Sequence, residues 1–152
     1  MGDIKRIMVV SRMSEDSRTA IHSGVELARR MGAELYVIHT VHNPFSVAGW
    51  NLPIPSLEED YNRILRKTKE ELDSIIRVET RKGMNVRELI RSGEPTKQIL
   101  AAVQEEQIDL LVMTAHEEGH LEHFLFGRSN EAIIRRMPCS VMMVKMEPGP
   151  AA

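Results

Sequence analysis

Residues 114–129 contain an unusual concentration of side chains that could do chemistry, and they follow the buried apolar run Leu110–Met113. In an open α/β sheet, a ligand binds in the loop after such a strand, beside the N-terminus of the next helix. We expect that helix to begin at Gly127–Ser129, with Ser129 as its cap, and to end before Pro138. The sequence therefore predicts a ligand crevice here, with candidates Thr114, His116, Gly127, Arg128 and Ser129.

The same segment also satisfies the zinc-protease pattern H-E-x-x-H, from His116 to His120, with His123 nearby. In those proteases the pattern lies on a helix, so that both histidines face one metal and the glutamate activates water. Here it follows a strand and contains Gly119, which argues against a protease. We interpret the histidines as solvated loop residues and keep a weak metal site formed by His116, His120 and His123 as an alternative.

Composition excludes several classes of function. With 22 acidic and 20 basic residues among 152, the chain has no basic excess for nucleic acid. No apolar run reaches the roughly 18–20 residues of a membrane span. Asp3 and the short run Ile7–Val10 do not form a basic-then-apolar pattern, so we expect no signal peptide. The only cysteine, Cys139, has no partner for an internal disulfide, and its place beside an apolar run favours a core role. We expect a cytoplasmic protein that contacts neither nucleic acid nor membrane.

Short apolar runs alternate with helical patterns along the chain. The runs predict strands at Ile7–Val10, Leu35–Val41, Val86–Ile90, Leu110–Met113 and Val141–Val144. Such alternation predicts a doubly wound, Rossmann-like parallel sheet with four helices, in the order 3-2-1-4-5. Arg87 and Glu88 interrupt the third strand and place it near an edge. We expect one domain, residues 1–146, followed by a disordered tail, residues 147–152.

This strand order places a switch point between the first and fourth strands, where their loops share one crevice. Ser11 and Arg12 follow the first strand, and Thr40 lies near the end of the second, so all three join the candidate binding residues. His39 is expected at the core or at the rim of the crevice rather than as a catalyst. No residue is predicted to be catalytic.

The chain resembles the universal stress protein family. The resemblance rests on the first strand and the turn after it, on Ser92-Gly93-Glu94-Pro95, on the strand Asp109–Met113 and on the run Arg136–Val141. It implies a five-stranded doubly wound domain that usually dimerises through its last strand.

Many members of that family bind ATP through a G-x-x-G sequence followed, after a spacer, by Gly and then Ser or Thr. Glycines let backbone N–H groups approach phosphates, and the hydroxyl and helix N-terminus complete an anion cradle. Laid on this sequence without gaps, the pattern falls on Thr114, Glu117, Gly127 and Arg128, and only Gly127 matches. The usual acidic residue after the first strand falls on Arg12. The nucleotide site is therefore interpreted as degraded.

Two hypotheses follow from this interpretation. The first is a non-enzymatic regulatory or stress-response module that acts as a dimer without stable ATP binding. The alternative is a switch that binds ATP or a related nucleotide, with weak or no ATPase activity. Gly119 could help a re-formed loop to offer backbone donors, and Arg12 and Arg128 could bind another small anion directly.

The last predicted strand, Val141–Val144, indicates a second copy of this chain as the expected partner. In a monomer it would be an unpaired sheet edge, which favours aggregation. Pairing Val141–Val144 with the same strand of a second copy would remove that edge and form a two-fold homodimer. The alternative is that Met137, Met142 and Met143 only fill the core below the last helix.

Overall fold

Five parallel strands form the centre of the computed structural model. The structure describes residues 2–12, 15–41, 55–81, 83–115 and 121–145. Within these ranges, only the backbone is described at 15–17, 55–56 and 121–128. The strands are β1 (Arg6–Ser11), β2 (Glu34–Val41), β3 (Val86–Ser92), β4 (Leu110–Ala115) and β5 (Ser140–Lys145). The helices are α1 (Glu15–Met31), α2 (Pro55–Thr80), α3 (Pro95–Glu105) and α4 (Leu121–Arg136). The order β3-β2-β1-β4-β5 confirms the predicted topology.

The apolar strands are covered on both faces, as their continuous hydrophobic runs predicted. Because side chains alternate along a strand, Ile7 and Val9 of β1 join the core layer on the α1 and α2 face. Met8 and Val10 join the second layer, on the α3 and α4 face. Among the described helices, none is long and apolar enough to cross a membrane.

The two edges of the sheet are β3 and β5. Strand β3 pairs with β2, which confirms the edge position predicted from Arg87 and Glu88, and it continues to Ser92. Strand β5 pairs with β4, and its other side carries no strand among the described residues. Along β5, Val144 is buried and Met143 is 38% exposed.

The Ser92–Pro95 segment acts as a helix start. Glu94 is the N-cap of α3, and its carboxylate accepts hydrogen bonds from the backbone N–H groups of Thr96 (3.0 Å) and Lys97 (2.9 Å). Pro95 occupies the first turn, where the missing N–H costs nothing. This part of the family resemblance therefore corresponds to a structural cap.

The predicted start of the last helix is wrong. Helix α4 begins at Leu121, before Gly127–Ser129, and ends at Arg136, before Pro138 as expected. Leu121 and Glu122 are strong helix formers and no proline separates them from Gly127, so the helix extends towards β4. A glycine inside a helix costs about 1 kcal/mol relative to alanine, which the remaining turns offset. Gly127 is therefore an internal helical residue.

Candidate functional site

The crevice lies where β1 and β4 separate. Their ladder runs from Ile7–Leu110 to Val9–Val112, whereas β1 remains paired with β2 as far as Ser11 and His39. Beyond Val9 and Val112, the ends of β1 and β4 can therefore diverge at the topological switch point. Ser11 and Thr114, two of the predicted site residues, are buried on these strand ends.

Arg12 reaches across this crevice. Its Nη2 donates a hydrogen bond to Oδ1 of Asn130 on α4, and Nδ2 of Asn130 donates to the backbone carbonyl of Thr114 (3.1 Å). Asn130 is only 7% exposed, so both of its bonds lie within the protein. The Arg12–Asn130–Thr114 bridge thus connects the end of β1 with α4 and β4.

Burial lowers the pKa of Arg12 to about 10, because the half-buried guanidinium loses part of its hydration. The side chain therefore still carries a positive charge at neutral pH. A charge at this point favours an anion in the crevice, but the guanidinium is already engaged by Asn130.

His39 lines the crevice from β2. Its Nδ1 lies 2.9 Å from the carbonyl oxygen of Ser11, and because a carbonyl only accepts, Nδ1 carries the proton. Burial lowers the pKa of His39 below its ordinary value, more than the Ser11 carbonyl and the charge of Glu71 raise it. The ring is therefore neutral at pH 7, with Nε2 as a hydrogen-bond acceptor. The expectation of a satisfied rim residue agrees with this geometry.

Ser129 has a different role from the predicted cap, because α4 begins before it. It is buried, and its hydroxyl accepts a hydrogen bond from Thr96 Oγ1 (3.2 Å), which links α4 to α3. The backbone N–H groups of Gly127, Arg128 and Ser129 lie beyond the first four of the helix, so they belong to its internal ladder. While α4 keeps this start, they cannot form an anion cradle of the kind described for the ATP-binding members of the family.

The predicted site residues are therefore only partly brought together. Ser11 and Thr114 lie on the α1 and α2 face of the sheet. They follow Val9 and Val112 by two positions, and those two residues belong to the core layer on that face. Thr40 is half-buried and falls on the opposite face, in register with Arg91 of β3. Asn130 and Thr96 were not among the predicted site residues. A signal for Asn130 existed, since asparagine competes with the helix backbone and is unfavourable inside a helix unless its side chain has another partner.

Several predicted residues lie outside the described part of the chain. These are His116 and His120, and with them Glu117 and Gly119. His123 and Arg128 belong to α4, but the structure describes only their backbone. Within the described residues, no three His, Cys, Asp or Glu side chains are grouped in a way that could hold a metal ion. The histidine metal site remains a prediction.

Cys139 is half-buried beside β5, and its Sγ donates to the carbonyl of Ser140 (3.4 Å). Burial raises the pKa of its thiol, which disfavours the reactive thiolate. This environment agrees with the structural role expected from the sequence.

Comparison with known proteins gives a consistent result. The model of the universal stress protein family matches residues 3–145. Universal stress protein MJ0531 of Methanocaldococcus jannaschii is 26% identical over 146 residues, which cover 93% of this chain and 82% of that protein.

Solved structures share the fold at lower identity. The universal stress protein UspA from Lactobacillus plantarum superposes with a TM-score of 0.76 at 21% identity, covering 95% of this chain and 99% of that one. The universal stress protein from Archaeoglobus fulgidus, solved in complex with dAMP, gives a TM-score of 0.66 at 18% identity, covering 95% and 100%. From the family match over nearly its whole length, this chain belongs to the universal stress protein family.

Proposed function

We propose that this chain is a cytoplasmic, non-enzymatic regulatory module of the stress response, which acts as a homodimer and does not bind ATP stably. The observation that carries the proposal is the Arg12–Asn130–Thr114 bridge, which spans the crevice between β1 and α4. A triphosphate at the switch point would have to displace this buried hydrogen-bonded link. Displacing Arg12 would leave the buried Oδ1 of Asn130 without its guanidinium donor, which costs free energy.

The position of α4 supports the same proposal. An anion cradle needs unpaired backbone N–H groups at a helix N-terminus. Helix α4 begins at Leu121, so the groups at Gly127–Ser129 are internal. Laid on the sequence, the family pattern has a glycine where this chain has Glu117, and a carboxylate at that position of the pattern would oppose binding of a phosphate.

Homodimerisation is supported by the open side of β5. An unpaired strand edge exposes backbone hydrogen-bonding groups, and pairing two copies about a two-fold axis satisfies them. Met143 on β5 and Met137 just before it are 38% and 57% exposed, which provides apolar surface for such an interface.

Thermal unfolding with and without ATP–Mg²⁺ tests the absence of stable ATP binding. A ligand at a hundred times its Kd would raise Tm by roughly 5 °C or more in a chain of this size, whereas we expect no shift for the natural chain. The variant Arg12→Asp/Glu117→Gly/Arg128→Ser separates the two causes: it should gain a shift if these side chains exclude ATP, and none if the start of α4 alone does. Arg135→Ser is the matched control, because Arg135 is on α4 but pairs with Glu131 away from the crevice. A full shift in the natural chain would overturn the proposal.

The alternative is a switch that binds ATP or a related nucleotide with weak or no ATPase activity, and one form of it would bind a nucleotide other than ATP. It is supported by the similar Archaeoglobus fulgidus protein, which was solved with dAMP, and by the neutral His39, whose Nε2 could accept from a ligand hydroxyl or amine. A Tm increase with dAMP but not with ATP–Mg²⁺, abolished by His39→Phe, would favour this alternative. No shift with either nucleotide would favour the module without nucleotide.

A further inference from the structure

A groove on the α3 and α4 side of the sheet is not part of the crevice. It has a volume of about 480 Å³ and lies between the end of α3, the start of β4 and the turn before β5. Leu100, Val103, Ile108 and Pro138 give it an apolar wall, and Gln104 and Arg136 stand at its rim. It lies near the N-terminal ends of the strands, opposite the ligand crevice.

Arg136 gives the groove a charge. It is exposed, and it makes no ion pair with any other residue that the structure describes, whereas the preceding Arg135 pairs with Glu131 at 2.6 Å. An occupant of this groove should therefore combine an apolar side chain with a carboxylate.

Residues 146–152 have that chemistry. They follow β5 directly and begin with Met146 and Glu147, and Glu147 is their only charged side chain. Methionine adapts to irregular apolar surfaces, and a carboxylate complements the guanidinium of Arg136.

The chain's own residues 146–152 follow the end of β5 that lies away from the groove. The six residues of β5 span roughly 20 Å, so Lys145 lies about that far from the turn at Pro138. Residues 146–152 reach at most about 25 Å when fully extended, so most of their length would be used in returning along the strand.

A second copy removes this difficulty. Two-fold pairing of β5 with its symmetry mate is antiparallel, so pairing along the whole strand brings the partner's Lys145 opposite the start of β5, near Ser140. The partner's tail then emerges beside Pro138, Arg136 and the open groove.

We propose that residues 146–152 of each protomer dock into the groove of the other, with Met146 on the apolar wall and Glu147 paired with Arg136. This inference rests on the proposed homodimer. The docked residues add a second contact to the β5 interface, so the affinity of the dimer depends on residues 146–152.

Sedimentation velocity over a concentration series tests the contribution of the tail. A chain that ends at Lys145 should dimerise with a Kd raised roughly tenfold or more, as expected for the loss of one buried methionine side chain. Arg136→Glu should weaken the dimer, and Arg136→Glu/Glu147→Arg should restore it. Arg135→Glu, on the neighbouring residue with its own partner, is the control and should leave the Kd unchanged.

Disulfide formation tests where the tail lies. In a Cys139→Ser background, Gln104→Cys and Glu147→Cys chains are mixed and oxidised, and we expect a covalent heterodimer. Lys67→Cys, on the exposed face of α2, replaces Gln104→Cys in the control and should give none.

The outcomes separate the two proposals. If the full chain is monomeric at every concentration, the homodimer fails and the tail inference fails with it. If it is dimeric but truncation changes nothing and no heterodimer forms, only the tail inference is overturned. A disulfide within one chain of a Gln104→Cys/Glu147→Cys variant, without a product of dimer mass, would place the tail on its own protomer and also overturn it.

Discussion

Strands β1 and β4 are linked at both ends by different chemistry. At their N-terminal ends, the Asp109 carboxylate accepts hydrogen bonds from the backbone N–H groups of Lys5 (2.8 Å) and Arg6 (2.9 Å), while the Asp109 N–H donates to the Arg6 carbonyl (2.9 Å). At their C-terminal ends, the link runs through two side chains, from Arg12 to Asn130 and from Asn130 to the Thr114 carbonyl.

We propose that the first link is structural and that the second controls ligand access. The Asp109 link satisfies backbone donors that would otherwise lose their partners, and a charged acceptor makes such bonds strong. The Arg12 link places a partly desolvated charge in the crevice, which contributes little net stability. Variants at the two ends should therefore affect different properties.

Asp109→Ala should have the largest effect on stability. The loss of a carboxylate that accepts two backbone hydrogen bonds should lower the free energy of unfolding by roughly 2 to 3 kcal/mol. Urea denaturation measures this loss. Asp60→Ala is the control, because its exposed ion pair with Arg63 on α2 should be worth less than about 1 kcal/mol. Equal losses in the two variants would show that the Asp109 link is not structural.

Asn130→Ala should come next, with a loss of roughly 1 to 2 kcal/mol. The reason is that a buried amide disappears and the Thr114 carbonyl loses its donor. Glu131→Ala, at the adjacent exposed position, is the control in the same denaturation experiment. If the control variant were the less stable of the two, the role of Asn130 in the crevice would be refuted.

His39 should give the third effect, a dependence of stability on pH. Its folded-state pKa lies below its ordinary value of 6.5, so the unfolded chain binds the proton first as pH falls. This contribution to stability is fully present above pH 6.5 and is lost as pH falls through the folded pKa. His39→Gln should flatten the decrease between about pH 8 and pH 5. His22→Gln should retain it, and equal slopes in both variants would contradict the assignment.

Arg12→Ala should have the smallest effect on stability, a change of less than about 1 kcal/mol, because the loss of its hydrogen bond to Asn130 is offset by relief of a partly desolvated charge. Urea denaturation of Arg12→Ala and Asp109→Ala, run in parallel, measures the two changes in the free energy of unfolding. A loss as large as that in Asp109→Ala would make Arg12 a structural residue and erase the distinction between the two ends.

The fold was predictable from local signals. The apolar run Ile7–Val10 indicated a strand covered on both faces, and its four residues are buried. Helix α1 ends at Met31, and Gly32 follows it with a φ of +66°, a conformation that glycine adopts readily. Alternation of strands and helices then left few topologies, because crossovers are right-handed.

The site was predictable only in part. Ser11, Arg12 and Thr114 follow from strand ends and the switch point. The partner of Arg12 could not be deduced, because Asn130 meets it only after α4 packs against the sheet. The start of α4 was missed because Gly127 was interpreted as a boundary, although a helix tolerates one glycine when its other residues favour helix.

Equilibrium dialysis of the purified natural chain against millimolar ATP–Mg²⁺ tests the central claim most directly. If the Arg12–Asn130–Thr114 bridge and the internal position of Gly127 prevent the crevice from holding a triphosphate, bound ATP should remain far below one molecule per chain. One tightly bound ATP per chain would contradict the account.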